Sequence, residues 1–370
     1  MQANNILSRK LNLDLPIWTI ICPILAVLAL FFIDSDHVIV SVVLGIALIS
    51  AVLSAVHHAE VVAHKVGEPF GTIILALAIT IIEVSLIVSL MMSETGSEPS
   101  VLARDTVFAA IMIILTGIIG ICLWVGSIKY HEQNFIKQGV SSALISLIAI
   151  SVLTLILPNF TTSEGIGVYS ESQLIFVAIV SLILYGGFIS VQTIRHRDYF
   201  LPQQSKDNTS SELFVAPPNT LTTVASLVLL FIALVAVVLL SKKLSPVIED
   251  MVFHLGAPKS LVGIIIATVI LLPEGLAAFK AARQNRLQTS LNLALGSALA
   301  SIGLTIPAVA ILCYFTGMQV TLGIDSKSVL LLMLSLFTVY LSLNSGRTNI
   351  QQGIVLLVLF ATYLFTTIVP

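Results

Sequence analysis

The sequence predicts an all-α membrane protein of about 11 transmembrane helices, organised as one leading helix followed by two inverted five-helix repeats. Three observations predict this fold class. Of the 370 residues, 57% are hydrophobic and only 10% are charged; the apolar residues form long runs; and the second half repeats features of the first. Soluble domains are about one-quarter charged, so the composition excludes a water-soluble enzyme. The net charge of −2 gives no field that would attract nucleic acid, and no nucleic-acid partner is predicted.

The apolar runs have the length that crosses a bilayer, about 20 residues. Backbone groups in lipid must form their hydrogen bonds within the spanning segment, so the runs are predicted to be helices. The polar stretch after the second run, residues 57–69, is predicted to extend that helix beyond the bilayer. The runs cover residues 16–33, 38–56, 70–92, 104–128, 140–158, 172–194, 221–240, 259–282, 288–316, 327–343 and 350–369.

A polar stretch at 195–220 divides the chain and is predicted to be a flexible cytoplasmic linker. The predicted parts are an N-terminal tail with the first helix (1–37), a first repeat (38–194), the linker, and a second repeat (221–370). Each repeat has an odd number of helices, so the second enters the membrane from the opposite side. With a cytoplasmic N-terminus, 12 Lys and Arg residues fall inside and 5 outside, which is a positive-inside bias that predicts an external C-terminus.

The two halves also repeat an order of residues: an acid, a histidine, a glycine, a proline, and then a lone glutamate in an apolar run. The two glutamates are 191 residues apart, about half the chain. This recurrence indicates a duplication. The first half has Glu60, His64, Gly67, Pro69 and Glu83, and the second has Asp250, His254, Gly256, Pro258 and Glu274.

Only Glu83 and Glu274 of the 19 carboxylates lie well inside a predicted span. An ionised acid at the bilayer centre costs about 2.5–3.5 kcal/mol on insertion scales, so two of them require a reason. One reason is a protonated structural acid bonded to a neighbouring helix. The other is function, because inverted repeats bring corresponding helices together near the midplane, where carboxylates hold a hard cation or take up protons. These states exclude each other, so the pair is predicted to support antiport.

Neighbouring residues offer further oxygen ligands. Thr80 precedes Glu83 by three residues and shares its helix face. Pro273 cannot donate to the Val269 carbonyl and frees that oxygen at membrane depth, although a simple kink explains Pro273 as well. Ser297 and Ser301 lie on a small-residue face that helix packing also explains. The predicted cation and proton site comprises Glu83, Glu274, Thr80, Val269, Ser297 and Ser301, with the two glutamates as metal ligands.

The connection after the second run contains His57, His58 and His64 together with Glu60. The reference pKa of histidine is about 6.5, so His64, His58 and Glu60 are candidates for a pH-sensing gate. The alternative is that these histidines are solvated or interfacial and have no role of this kind.

Three segments resemble the calcium/cation antiporter superfamily, in particular the ChaA-like branch of bacterial exchangers. The first is HHAEVVAHKVGEPFGTIILALAITIIEVSLIVSLMM, residues 57–92. The second is IIIATVILLPEGLAAFKAARQNRLQTSLNLALGSALASIGLTIPAVA, residues 264–310, and the third is the stretch 345–349. The resemblance covers nearly the whole chain after the first run.

The resemblance implies an eleven-helix fold and assigns the family's acids on the third and eighth helices to Glu83 and Glu274. It implies a secondary antiporter in the cell (inner) membrane that exchanges calcium for protons, with sodium or potassium as alternatives, and needs no cofactor. The family pattern Gly-Asn-x-x-Glu is altered, because Ile79 and Thr80 replace Gly-Asn in one half and Ile270 and Leu271 in the other.

Other classes of function make different demands on the sequence. A passive cation channel also needs buried acids but no mutual exclusion, and it remains the main alternative, together with an alkali-cation/proton antiporter that has no calcium role. An enzyme is not expected, because no GxSxG or HExxH motif occurs. An ATP-driven pump is not expected either, because there is no P-loop. The oligomeric state is left open.

Overall fold

The computed structural model describes residues 15–32, 38–67, 70–92, 99–201, 218–254, 258 and 260–369. The described chain is almost entirely helical, and its continuous helices confirm the eleven predicted from the apolar runs. They are α1 (Ile17–Phe32), α2 (Val38–Val66), α3 (Phe70–Met91), α4 (Leu102–Tyr130), α5 (Lys137–Phe160), α6 (Glu171–Arg195), α7 (Thr220–His254), α8 (Ser260–Arg283), α9 (Leu287–Thr316), α10 (Ser326–Leu343) and α11 (Ile350–Ile368).

Nine of these helices, within the described residues, are long and apolar enough to cross a membrane. The described apolar stretches of α1 and α3, Ile17–Leu30 and Leu77–Met91, are shorter. As predicted, α2 continues past its apolar run and ends at Val66. Long apolar runs form helices because only a helix satisfies every backbone group inside one segment.

The helices fall into two compact units. The first unit, residues 1–93 and 207–254, contains α1, α2, α3 and α7. Within it, α2 packs against the other three helices. The second unit, residues 94–206 and 255–370, contains the remaining seven helices. These units do not coincide with the predicted repeats, because each unit contains helices from both halves of the chain. The boundaries of the repeats stay a prediction.

Several helix contacts within the second unit recur in both halves of the chain. Helix α9 packs against α5 and α6, and α4 packs against α10 and α11. In the same way α5 packs against α6, and α10 against α11. Helices α4, α5 and α6 of the first half correspond in order to α9, α10 and α11 of the second. When each helix is exchanged for its counterpart, every contact named above becomes another contact of the same set. This is the pattern expected of two related halves.

One end of the second unit is tied by a short antiparallel ribbon, in which β1 (Gln133–Asn134) pairs with β2 (Arg347–Thr348). The Gln133 side-chain amide also donates to the Ala282 carbonyl, 3.0 Å away, and to the Asn285 Oδ1, again at 3.0 Å. Gly126 leaves the space for this side chain, because a Cβ there would collide with Gln133 Oε1. The loops after α4, α8 and α10 thus meet at one end.

Candidate functional site

Glu83 lies inside α3 and is almost completely buried, with 3% of its surface exposed. Thr80, one turn earlier on the same face, is also 3% exposed. Ile81 points to the opposite side and is 44% exposed. The structure therefore places the carboxylate and the hydroxyl together on the protein-facing side of α3, as the sequence predicts.

Glu274 lies in the middle of α8 and is partly buried. The helix continues without a break through Pro273, from Ser260 to Arg283. Because Pro273 has no backbone N–H, the Val269 carbonyl one turn before it has no helical donor. A backbone carbonyl oxygen without a helical donor is a ligand of the kind that a hard cation prefers.

The helix that packs beside Glu274 is distorted. Residues Ile113–Ile118 of α4 form a π-helical turn that contacts α8. The two helices approach closely at Gly275, where an added Cβ would lie 3.2 Å from the Ile118 Cδ1. Such turns recur at functional sites because they displace backbone groups from the regular ladder. Hydropathy does not predict this turn, because its residues are as apolar as the rest of α4.

Helix α9 packs against α8 within the same unit and carries the predicted serines. Ser301 is 1% exposed, while Ser297 is partly exposed. One turn beyond Ser301, Thr305 is fully buried, and its hydroxyl makes no hydrogen bond to any described residue. Most helical threonines here, such as Thr154, donate to the carbonyl four residues before. Thr305 is a candidate oxygen ligand that the predicted site did not include.

The three histidines of the polar stretch, His57, His58 and His64, lie within the extended part of α2. The solvated interpretation is wrong for His58, which is 0% exposed and whose Nε2 lies 2.9 Å from the Thr19 carbonyl oxygen. His64 and Glu60 are exposed. The helix continues through the polar stretch because nothing in it breaks a helix before Gly67, where φ is +77°.

Within the described residues, no three His, Cys, Asp or Glu side chains are arranged to hold a metal ion. Glu83 belongs to the first compact unit and Glu274 to the second. The structure therefore describes the surroundings of each acid separately, and their action as a pair stays a prediction.

A nearly all-helical protein has nine described helices fit to cross a membrane, with Glu274 inside one of them and Glu83 inside the apolar helix α3. These features define the class of multi-pass ion transporters. More specifically, the chain belongs to the sodium/calcium exchanger protein family, whose model matches residues 36–194 and 225–369. The two matched segments lie on either side of the predicted linker. The resemblance predicted from the sequence is confirmed, and the protein is a member of the cation/proton exchanger branch.

Two relatives and one solved structure illustrate the match. A protein of Sinorhizobium fredii with the provisional name ionic transporter y4hA is 42% identical over 364 residues, which cover 96% of this chain and 97% of the relative. The sodium-potassium/proton antiporter ChaA of Escherichia coli is 33% identical over 353 residues, covering 94% and 95%. The crystal structure of an H+/Ca2+ exchanger, CAX, matches with a TM-score of 0.70 at 14% identity, over 94% of this chain and 86% of the other. This last match concerns the fold.

Proposed function

We propose that this protein exchanges a metal cation for protons across the cell membrane and that Glu83 and Glu274 bind the two in turn. The observation that carries the proposal is the 3% exposure of Glu83 inside an apolar helix, with a second acid inside α8. A buried carboxylate needs a neutralising partner. A proton and a metal cation each neutralise it, and one must leave before the other binds, which couples the two flows.

Calcium is the first candidate ion. The superfamily and the H+/Ca2+ exchanger with the similar fold support it, and carboxylates, hydroxyls and backbone carbonyls are the oxygen ligands that Ca2+ takes. Beside the two glutamates, the ligands would be the hydroxyls of Thr80, Ser297 and Ser301 and the carbonyl oxygen of Val269.

Sodium or potassium is the second candidate, and a specific observation favours it. Ca2+ takes 6–8 oxygens, but the positions before the two glutamates hold Ile79, Thr80, Ile270 and Leu271 rather than residues with side-chain amides. Without these amide oxygens the site has fewer of the ligands that strict selectivity for calcium requires. The Escherichia coli relative is named a sodium-potassium/proton antiporter, which supports this alternative.

The charge at one end of the second unit supports the predicted orientation. The loops after α4, α6, α8 and α10, together with the helix ends that flank them, carry eight exposed cations and two exposed acids among the described residues. By the positive-inside rule this end is cytoplasmic, which puts the C-terminus outside. The cations are Lys129, Lys137, Arg195, Arg197, Lys280, Arg283, Arg286 and Arg347, and the acids are Glu132 and Asp198.

The test uses purified protein in lipid vesicles with an imposed pH gradient and a pH-sensitive dye inside. Calcium, sodium or potassium is added separately, and the movement of protons identifies the ion. Uphill movement of the cation driven by the pH gradient distinguishes an antiporter from a channel.

Glu83→Gln and Glu274→Gln keep the side-chain shape and remove the titratable charge, so each should abolish exchange at normal expression. Glu132→Gln changes an exposed acid and serves as the matched control. Full exchange in either of the first two variants would refute the two-carboxylate proposal. Downhill flow without coupling in the wild type would leave the channel as the better explanation.

A further inference from the structure

A buried polar network joins α1 to α2 in the first unit. Thr19, Ser54 and His58 are each 0% exposed. The Thr19 carbonyl oxygen accepts a hydrogen bond from Ser54 Oγ at 2.7 Å and lies 2.9 Å from His58 Nε2. This carbonyl is free because Pro23 of α1, four residues later, has no N–H to donate. Two side chains of α2 take the place of the missing helical donor.

The contact determines which ring nitrogen of His58 carries the proton. A carbonyl oxygen only accepts, so Nε2 must donate, and in the neutral ring the lone pair is on Nδ1. Nδ1 is buried and makes no hydrogen bond to any described residue. An additional proton would therefore enter at Nδ1 and give the ring a positive charge.

Among the side chains that the structure describes, no acid forms an ion pair with His58. Its own helix carries His57, whose ring centroid lies 5.8 Å away, and the exposed Glu60, His64 and Lys65. A proton on His57 would carry a charge of the same sign and would oppose a charge on His58. The described titratable groups of the helices packed against α2 are Cys22 of α1, Glu83 of α3, and Lys242 and Lys243 of α7.

Two effects of protonation oppose each other. A charged ring donates a stronger hydrogen bond to the Thr19 carbonyl. A buried cation without a counter-ion, however, costs more than this bond gains. The second effect wins as long as Nδ1 stays out of water. The packed arrangement of α1 on α2 therefore favours the neutral ring, and protonation favours a state in which Nδ1 reaches water.

We propose that His58 is a proton-operated switch between α1 and α2: the neutral ring holds α1 against α2, and a proton on Nδ1 releases it. Helix α1 lies outside both predicted repeats, so it can move without dismantling either. The release itself is independent of which ion is exchanged. Any effect on exchange rests on the proposed function, because α2 packs against α3, which carries Glu83.

The test measures amide hydrogen exchange in α1, residues 15–24, for the full-length protein in lipid nanodiscs between about pH 5 and pH 8. Rates are corrected for the intrinsic pH dependence of exchange. In the wild type we expect protection to decrease in a single step as the pH is lowered, because the protonated ring releases α1. The decrease should be at most about tenfold per pH unit, which is the limit for one proton. A flat profile would overturn the proposal.

Three variants separate the switch from a structural role. His58→Gln keeps a donor near the Nε2 position and does not titrate, so protection should stay high and flat. Pro23→Ala gives the Thr19 carbonyl its own helical donor, so the bond to His58 matters less and the step with pH should be smaller than in the wild type. His64→Gln, the matched control on the same helix, changes an exposed ring and should keep the step.

A step that survives in His58→Gln would overturn the assignment to His58. Exchange activity of the same preparations, including Glu83→Gln, is measured in parallel. A step that persists in Glu83→Gln shows the switch whether or not that variant transports, so failure of the proposed function and failure of the switch give different results.

Discussion

Replacing Pro273 by alanine should make the protein more stable and at the same time weaken its hold on the cation. Helix α8 runs unbroken through this position, so an alanine there can donate its N–H to the Val269 carbonyl. Proline in a helix interior is about 3 kcal/mol less favourable than alanine. This value is the upper limit of the gain, because the native structure is already adapted to proline.

The loss of affinity follows from the same hydrogen bond. If the Val269 carbonyl is a cation ligand, it must now be shared with the new N–H. A net hydrogen bond is worth about 0.5–1.5 kcal/mol, which corresponds to a roughly 2- to 10-fold rise in the half-saturating cation concentration. Stability and affinity therefore change in opposite directions, a combination that a general structural disturbance would not produce.

The measurements are thermal unfolding in detergent and cation-induced proton release from vesicles. Pro246→Ala is the matched control, because Pro246 also lies inside a helix, α7, and is not part of the proposed site. It should raise stability and leave cation affinity unchanged. If Pro273→Ala is stabilised but binds the cation as before, the Val269 carbonyl is not a ligand and Pro273 is only a kink. An equal loss of affinity in Pro246→Ala would also contradict the reasoning.

Three further predictions follow from the proposed site and orientation. Thr80→Ala removes one neutral oxygen, so it should raise the half-saturating cation concentration without abolishing exchange, a smaller effect than the loss of either acid. Complete loss of exchange in Thr80→Ala would make Thr80 as important as the acids. Between about pH 6 and 9 the half-saturating concentration should fall as pH rises, because protons occupy the carboxylates at low pH, and a flat profile of proton release would contradict shared binding. Reporter fusions after residue 12 and within 200–215 should be cytoplasmic and a fusion after 370 external, and a cytoplasmic C-terminus would remove the inverted repeat.

Much of the fold is readable from the chain because lipid imposes one rule on every segment. A span of apolar residues must be helical, so hydropathy alone gave the eleven helices and the polar break at 195–220. The same rule makes Glu83 and Glu274 conspicuous, since a carboxylate in such a run is costly. Pro273 likewise signals a free carbonyl through its own covalent structure. These are local properties, and each can be read at its own position.

Contacts between helices are a different matter. The helices are apolar on their lipid-facing and protein-facing sides alike, so hydropathy carries little information about which faces meet. Tertiary structure alone decided that Ser54 and His58 reach the Thr19 carbonyl, 35 and 39 residues away in sequence. It also decided that the π-helical turn of α4 lies against Gly275. Pro23 predicts that the Thr19 carbonyl in α1 lacks a helical donor, but only the packing of α2 determines which side chains form hydrogen bonds with it.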